Sequence, residues 1–258
     1  MTTTKINGAL LYHDTVGSGP PLVLLHGGLE SSRTWREIVP LLSDAWQVTV
    51  IDVRGHGRST NPAASLTYPE IADDIAALLQ ALGIRRPAIA GWSDGGQHVL
   101  QIGARHPMLA RLLIAGAADF DRSPATKDWV RAFFGIDEHG RASLATVEQQ
   151  LGSGYSHFRA MHDGGDEQWA SLVQSTARLW LDYTGLTSED YQRIPCPTLV
   201  MCGDRDDDVP VEDAVGLYRS LRQGELALCP GADHFIPWRR TAWFVATLRE
   251  FLLRHAAG

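Results

Sequence analysis

The sequence predicts an α/β fold in which a mostly parallel sheet carries helices on both faces. Short apolar stretches alternate with stretches whose apolar residues recur every three or four positions, as in strands and helices joined in βαβ units. One apolar stretch runs through a glycine-flanked serine directly into a helical pattern, and the alternation breaks after Asp119 before it resumes near Pro197. At 258 residues, the chain suits one large domain or one domain with an insertion.

Composition excludes several classes of protein. The hydrophobic share of 44% is ordinary for a globular protein, and a net charge of −7 without a basic stripe argues against nucleic-acid binding. The sequence contains no apolar run of about 18 residues and does not begin like a signal peptide, so we expect no membrane association and a cytoplasmic location. The three cysteines are scattered without a C-x-x-C pair, which is typical of a reducing compartment.

The first third of the chain predicts the beginning of the sheet. Residues 5–15 alternate and precede a Gly/Pro turn cluster, which indicates an antiparallel pair of strands. Residues 21–25 are all apolar, as in a strand buried on both faces, and end in His26-Gly27-Gly28. Residues 35–42 have a helical pattern, and 47–53 form a strand that leads into a glycine-rich loop ending at Ser59.

The same apolar patterns predict the remaining strands and helices, except in one long segment that has no strand pattern. Helical spacing over 68–82 ends at Gly83, and further strands are predicted at 87–91, 111–117, 197–202 and 225–229, with later helices at 211–221 and 238–253. Residues 121–194 contain helical patches but no convincing strand pattern. We therefore predict a core formed by residues 1–120 and 195–258, with a helical lid at 121–194 inserted after the sixth strand.

Ser93 stands at the sharpest predicted corner, within Gly91-Trp92-Ser93-Asp94-Gly95. A strand that turns abruptly into a helix holds its corner side chain exposed, and the flanking glycines leave room for the tight backbone. The first N–H groups of the helix and its positive dipole end then face any oxygen above the serine. Because a short motif of this kind also occurs by chance, its interpretation depends on the groups supplied by the rest of the chain.

Acidic and imidazole side chains follow the last two predicted strands. The loop after residue 202 contains four aspartates, and the loop after residue 229 contains Asp233-His234. In a parallel sheet, such groups gather beyond the carboxyl ends of the strands, and a serine needs an imidazole base oriented by a carboxylate. The same aspartates fail as an EF-hand calcium loop, because valines occupy the positions of the required glycine and glutamate, and no zinc-binding spacing occurs. We expect no metal and no cofactor.

Over nearly its whole length the chain resembles the α/β-hydrolase superfamily, and the segment around Ser93 is similar to the biphenyl-hydrolase-like group that includes valacyclovir hydrolase. The matching segments are His26-Gly27-Gly28, residues 52–59, the turn at Ser93, the loop from Gly203 to Pro210, and Gly231–His234. The resemblance implies an eight-stranded sheet of that fold. It also implies that Ser93 is the nucleophile, His234 the base and Asp206 the acid, with Asp208 as the alternative acid, and that the N–H groups of Gly28 and Asp94 hold the oxyanion.

The sequence therefore predicts a serine hydrolase that cleaves a carboxylic ester of a small molecule through an acyl-enzyme. The same triad serves lactone, amide and carbon–carbon bond hydrolysis, and a ligand receptor built on this scaffold is the alternative from another class. The carboxylate of Asp94 either compensates the helix dipole or, by the same resemblance, pairs with a cationic substrate group. The aromatic residues of the lid either line the substrate pocket or form the lid's own core; the candidates are Trp129, Phe133, Trp169 and Trp180.

Overall fold

The structure is a computed structural model that describes residues 2–120 and 124–256. Met1 and residues 257–258, at the two ends of the predicted core, lie outside the described residues. So do residues 121–123, the first positions of the predicted lid.

Eight strands form one sheet in the described part of the chain, as predicted. They are β1 (Thr2–Ile6), β2 (Ala9–Val16), β3 (Pro21–Leu25), β4 (Gln47–Ile51), β5 (Ala88–Trp92), β6 (Leu112–Gly116), β7 (Thr198–Gly203) and β8 (Gly224–Cys229). Their order is β1-β2-β4-β3-β5-β6-β7-β8. β1 and β2 pair antiparallel, as do β2 and β4, whereas every pairing from β4 through β8 is parallel. The order reverses around β3 and β5, so the segments that follow these two strands lie side by side at the carboxyl edge.

Ten α-helices cover the sheet or lie between its strands in the described part of the chain. They are α1 (Tyr68–Ala81), α2 (Asp94–Arg105), α3 (Pro124–Phe134), α4 (Leu144–Leu151), α5 (Tyr155–Ala160), α6 (Gly165–Asp182), α7 (Ser188–Gln192), α8 (Val211–Ser220), α9 (Ile236–Arg239) and α10 (Thr241–Arg254). None of the described helices is both long and apolar enough to cross a membrane.

The predicted helix at 35–42 is wrong. This segment instead forms two short 3₁₀ turns, Ser32–Trp35 and Val39–Leu41. Pro40 lies inside the second turn, where its ring removes an N–H donor that a continuous α-helix would need. The apolar spacing reflects the burial of Trp35, Ile38 and Leu42 beneath the sheet rather than a continuous helix.

The two faces of the sheet bury separate hydrophobic clusters. Along β3, Val23 and Leu25 belong to one cluster, while Leu22 and Leu24 belong to the other. Successive strand residues point to opposite faces, so an all-apolar strand indicates burial on both sides. The first cluster lies under α1 and α2, and the second lies under α10 and the 3₁₀ turns.

Helices α3 to α7 form an insertion between β6 and β7. Within it, α3 packs on α4 and α6. Buried residues of α3 and α6, among them Phe134 and Trp169, join the hydrophobic cluster that lies under α1 and α2. The insertion therefore shares its core with one face of the sheet.

Candidate active site

Ser93 occupies a strained turn between β5 and α2. Its φ of 56° and ψ of −120° are unfavourable for a residue with a side chain, and its N–H donates to Gly116 O at 2.8 Å. A Cβ added at Gly91 would lie 2.1 Å from Gly95 O, and one added at Gly95 would lie 2.3 Å from Leu25 O. Both glycines are therefore needed for the close backbone approach that projects Ser93 above the sheet.

His234 and Asp206 form a hydrogen-bonded pair beyond β7 and β8. His234 Nδ1 lies 2.9 Å from Asp206 Oδ2 and 3.1 Å from Oδ1, and the Asp206 side chain has no solvent exposure. Asp206 Oδ1 also accepts the backbone N–H groups of Asp208 at 3.0 Å and Val209 at 2.8 Å. A carboxylate facing Nδ1 favours the tautomer with the proton on that nitrogen, which leaves Nε2 available as a base.

The electrostatic surroundings of His234 favour its protonated form. Burial opposes the charge on the imidazole, but the hydrogen bond and negative charge of Asp206, together with the charges of Asp208 and Glu30, raise the pKa of His234 above its usual value. The loop that holds His234 is attached to β5, because Trp92 Nε1 donates to His234 O at 2.8 Å. The base and the Ser93 turn are thus held by the same strand.

The loop after β3 places Gly28 beside the Ser93 turn. The His26 ring fixes this loop: Nδ1 lies 2.8 Å from Gly27 O, and Nε2 accepts Val53 N–H at 3.1 Å. A Cβ on Gly28 would lie 2.4 Å from a ring carbon of Trp180, so this residue must lack a side chain while Trp180 lies over it. Asp94 is the first residue of α2, where backbone N–H groups have no partner within the helix.

The side chain of Asp94 is buried and contacts the insertion. Its Oδ1 accepts the hydroxyl of Tyr68 and the Nε1–H of Trp180, the latter at 3.2 Å. Its backbone oxygen bonds to Nδ1 of His98, a buried ring packed edge-on against Tyr68. Asp94 thus connects the start of α2 to an aromatic residue of α6.

Four of the predicted residues face one cavity of about 340 Å³, namely Ser93, His234, Gly28 and Asp94. Three of the predicted aromatic residues form a wall of the same cavity: Trp129, Phe133 and Trp180. Their rings are packed together, with 5.2 Å between the centroids of Trp129 and Phe133 and 6.1 Å between those of Trp129 and Trp180. These three rings form the aromatic wall of the cavity.

Trp169, the fourth predicted aromatic residue, lies outside the lining of this cavity. It is only 1% exposed, donates Nε1–H to the hydroxyl of Tyr155 at 3.1 Å, and packs against His162. Its position fits the alternative interpretation, in which lid aromatic residues form the core of the insertion.

Glu30 and His162 also lie in this region, although neither was predicted from the sequence. Glu30 is buried, lines the cavity, and accepts Gly27 N–H at 3.0 Å. His162, between α5 and α6, accepts Gly57 N–H at 2.8 Å, and its Nε2 lies 3.0 Å from Leu29 O. The one sign of Glu30 in the sequence is an acidic residue within the apolar, glycine-rich stretch that follows β3. No sequence pattern distinguishes His162, because the surrounding sequence is polar as well.

One potential metal-ligand atom from each of three residues, Asp206, Asp208 and His234, lies within 4.8 Å of the others. The Asp206 carboxylate, however, is already bonded to the imidazole and to two backbone N–H groups. Its lone pairs are therefore directed at hydrogen donors. This donor set fits an oriented imidazole base better than a metal site.

Known proteins with a similar sequence or fold include several hydrolases. Residues 22–247 match a family model described as "Alpha/beta hydrolase family". The chain is 27% identical to a pyrrolizixenacetamide deacetylase from Xenorhabdus hominickii, over 98% of both chains, and 24% identical to a 2-hydroxymuconate semialdehyde hydrolase from Pseudomonas sp. strain CF600, over 93% of this chain and 89% of the other. Its fold is similar to that of a thermophilic esterase from Thermogutta terrifontis, with a TM-score of 0.80, 23% identity and 99% of both chains covered.

Proposed function

Because the chain belongs to the alpha/beta hydrolase family of enzymes, we propose that it is a serine hydrolase that cleaves a carboxylic ester of a small molecule through an acyl-enzyme. One observation carries the proposal. The imidazole of His234 is bonded to the buried carboxylate of Asp206 and lines the same cavity as Ser93, which stands on a strained strand-to-helix turn. Serine, imidazole and carboxylate in these positions support acyl transfer.

In the proposed mechanism, Ser93 Oγ attacks the ester carbonyl while His234 Nε2 accepts its proton. Asp206 accepts the Nδ1–H of His234 and stabilises the imidazolium. The N–H groups of Gly28 and Asp94 hold the oxyanion of the tetrahedral intermediate, which collapses as His234 protonates the departing alcohol. Water, activated by His234, then attacks the acyl-enzyme, and the breakdown of a second tetrahedral intermediate releases the acid and regenerates Ser93.

The insertion supports a role as the lid of this site. We propose that residues 121–194 close the cavity and that Trp129, Phe133 and Trp180 contact the apolar part of the substrate. Support comes from the aromatic wall, which offers ring surface within about 340 Å³, a volume suited to a small molecule. For Asp94, the bonds to Tyr68 and Trp180 favour a role in holding Trp180 in place, while recognition of a cationic substrate group remains the second proposal for this carboxylate.

Hydrolysis of an amide and hydrolysis of a carbon–carbon bond are the second candidates, because relatives at 27% and 24% identity are named a pyrrolizixenacetamide deacetylase and a 2-hydroxymuconate semialdehyde hydrolase. Lactone and amide hydrolysis need the same three groups and differ in the leaving group. A ligand receptor on this scaffold would bind its ligand without turning it over.

The test of the proposed function is hydrolysis of a panel of short-chain p-nitrophenyl esters by the wild type and by Ser93→Ala, with mass spectrometry after labelling by a fluorophosphonate. We expect turnover by the wild type, its loss in the variant, and one adduct located on Ser93. A folded wild type that shows neither turnover nor an adduct would refute the serine-hydrolase proposal. An adduct on Ser93 without ester turnover would redirect the search to the other bond types.

A further inference from the structure

Glu30 is a carboxyl group that the proposed mechanism leaves without a role. It lies only two residues beyond Gly28, is 7% exposed, and lines the cavity that Ser93 and His234 also line. Burying a carboxyl group is costly unless hydrogen bonds compensate for the loss of water, so a buried acid in a reaction cavity calls for an explanation.

The hydrogen bonds of Glu30 are directed at the loop that precedes it. Its Oε2 accepts Gly27 N–H at 3.0 Å, and the carboxyl group also bonds to the side chain of Thr34. A Cβ added at Gly27 would lie 3.1 Å from Glu30 Oε2 and 3.4 Å from Ser93 Cβ. Gly27 is therefore confined between the Glu30 carboxyl group and Ser93, and the Glu30 side chain fixes the His26–Gly27 peptide next to the peptide that carries the Gly28 N–H.

The charge of Glu30 also acts on the proposed base. Burial raises the pKa of Glu30 to about 7, while the hydrogen bond from Gly27 N–H and the charge of His234 act in the opposite direction. His234 is thus a titratable group, among the described residues, whose charge interacts with that of Glu30. Three acidic groups raise the pKa of His234 through their charge, namely Asp206, Asp208 and Glu30. Asp206 and Asp208 both belong to the loop after β7, whereas Glu30 approaches from the loop after β3.

We propose that Glu30 is a positioning residue that holds the Gly27–Gly28 loop against Ser93 and, in its ionised form, stabilises the protonated form of His234. It acts through the backbone of Gly27 and through the imidazole, without contacting the reacting atoms. The inference rests on the proposed function, because it assigns a purpose to a group beside the proposed base and the proposed oxyanion loop.

Two substitutions separate the two actions. Glu30→Gln keeps an oxygen that can accept Gly27 N–H but removes the charge, whereas Glu30→Leu removes both. Glu37→Gln makes the same chemical change as Glu30→Gln, seven residues further along and on the exposed surface, and serves as the matched control. The wild type and all three variants are compared for folding by circular dichroism and thermal unfolding.

The first measurement is the pKa of His234 from an imidazole NMR titration, with the signal assigned by its absence in His234→Asn. It requires no turnover, so it tests the inference even if ester hydrolysis is not the reaction. We expect Glu30→Gln to lower the pKa of His234 by about 0.5 unit or more and Glu37→Gln to leave it unchanged, because a nearby negative charge favours the imidazolium. An unchanged or higher pKa in Glu30→Gln, or an equal shift in Glu37→Gln, would overturn the inference.

The second measurement is the dependence of kcat/KM on pH for an ester that the wild type hydrolyses. In Glu30→Gln, the loss of activity at low pH should move to lower pH by the same amount as the NMR value, with the plateau retained within about threefold. Folded Glu30→Leu should lose about 10-fold to 100-fold of kcat with little change in KM, because the oxyanion loop loses one of the hydrogen bonds that hold it against Ser93. A plateau in Glu30→Leu equal to that of the wild type would remove the positioning role.

Discussion

The bond between Asp206 and His234 leads to a specific prediction for Asp206→Asn. Two backbone N–H groups, those of Asp208 and Val209, donate to Asp206 Oδ1 at 3.0 and 2.8 Å. An asparagine at this position must keep its carbonyl oxygen at that site, because an NH₂ group there would face two donors. The NH₂ group then occupies the place of Oδ2, which lies 2.9 Å from His234 Nδ1.

The consequence is an imidazole with the wrong tautomer. Nδ1 of His234 must accept from the asparagine amide, so the proton moves to Nε2, and Ser93 loses its base. The loss of the correct tautomer in a triad of this kind costs about 10⁴-fold in kcat. We expect kcat/KM near neutral pH to fall by about 10³-fold to 10⁴-fold, equivalent to about 4 to 5.5 kcal/mol of transition-state stabilisation.

The assay is the hydrolysis of a p-nitrophenyl ester by the wild type, Asp206→Asn and Asp208→Asn, with thermal unfolding as the check on folding. Asp208→Asn is the matched control, since the Asp208 side chain is exposed and acts on His234 through its charge, with no described hydrogen bond to the ring. It should retain activity within about tenfold of the wild type, because a single charge effect shifts the pKa without removing the base. Activity of folded Asp206→Asn within tenfold of the wild type would refute the assignment of Asp206 as the orienting acid.

Three further predictions follow from the site and its supports. Gly91→Ala should destabilise the fold by more than about 3 kcal/mol in denaturant unfolding, because the added Cβ would lie 2.1 Å from the backbone oxygen of Gly95; a loss below 1 kcal/mol would contradict the close approach. The pKa of His234 is raised above its usual value, and only the neutral imidazole can accept a proton. We therefore expect kcat/KM to decline as the pH falls, with a midpoint above about pH 6.5, and a midpoint below about pH 6 would contradict this expectation. His162→Leu should make the insertion more sensitive to limited proteolysis and cost about 1 to 3 kcal/mol, because two loops of the core lose their hydrogen bonds to the ring; unchanged cleavage would show that other contacts hold the insertion.

The sheet was predictable because most of its strands are short, almost entirely apolar stretches of sequence. The all-apolar residues of β3 lie between two hydrophobic clusters, as two-sided burial requires, and the resemblance to the α/β-hydrolase superfamily is confirmed by the match over residues 22–247. β1 begins at Thr2, earlier than predicted, because three threonines have the β-branched side chains of a strand but little of its apolar character. At 35–42, helical spacing was misleading, since the spacing of buried side chains does not distinguish a continuous helix from successive turns.

The sequence predicts several of the residues that gather at the site but not how the helices of the insertion are docked against it. Of the residues predicted beyond the strand ends, Gly28, Ser93 and His234 line one cavity and Asp206 is bonded to His234, because the topology of a parallel sheet brings those ends together. Trp169 and Trp180 belong to the same helix, α6, yet one is buried in the insertion and the other lies in the aromatic wall. Their spacing could not separate them, because which end of a helix reaches the cavity depends on how it is docked. Likewise, only the folded loop reveals that the Glu30 carboxyl group turns back onto Gly27.

The position of Trp180 has a consequence for changing the substrate range of this enzyme by directed evolution. Its ring lies over Gly28 and its indole N–H is bonded to Asp94, the two residues proposed to supply the oxyanion donors. Enlarging the cavity at position 180 would therefore disturb the chemistry at the same time as the fit. Trp129 and Phe133 reach Asp94 through no described hydrogen bond and influence residue 180 only by ring packing, so a library that seeks new substrates should vary these two positions first and leave residue 180 fixed.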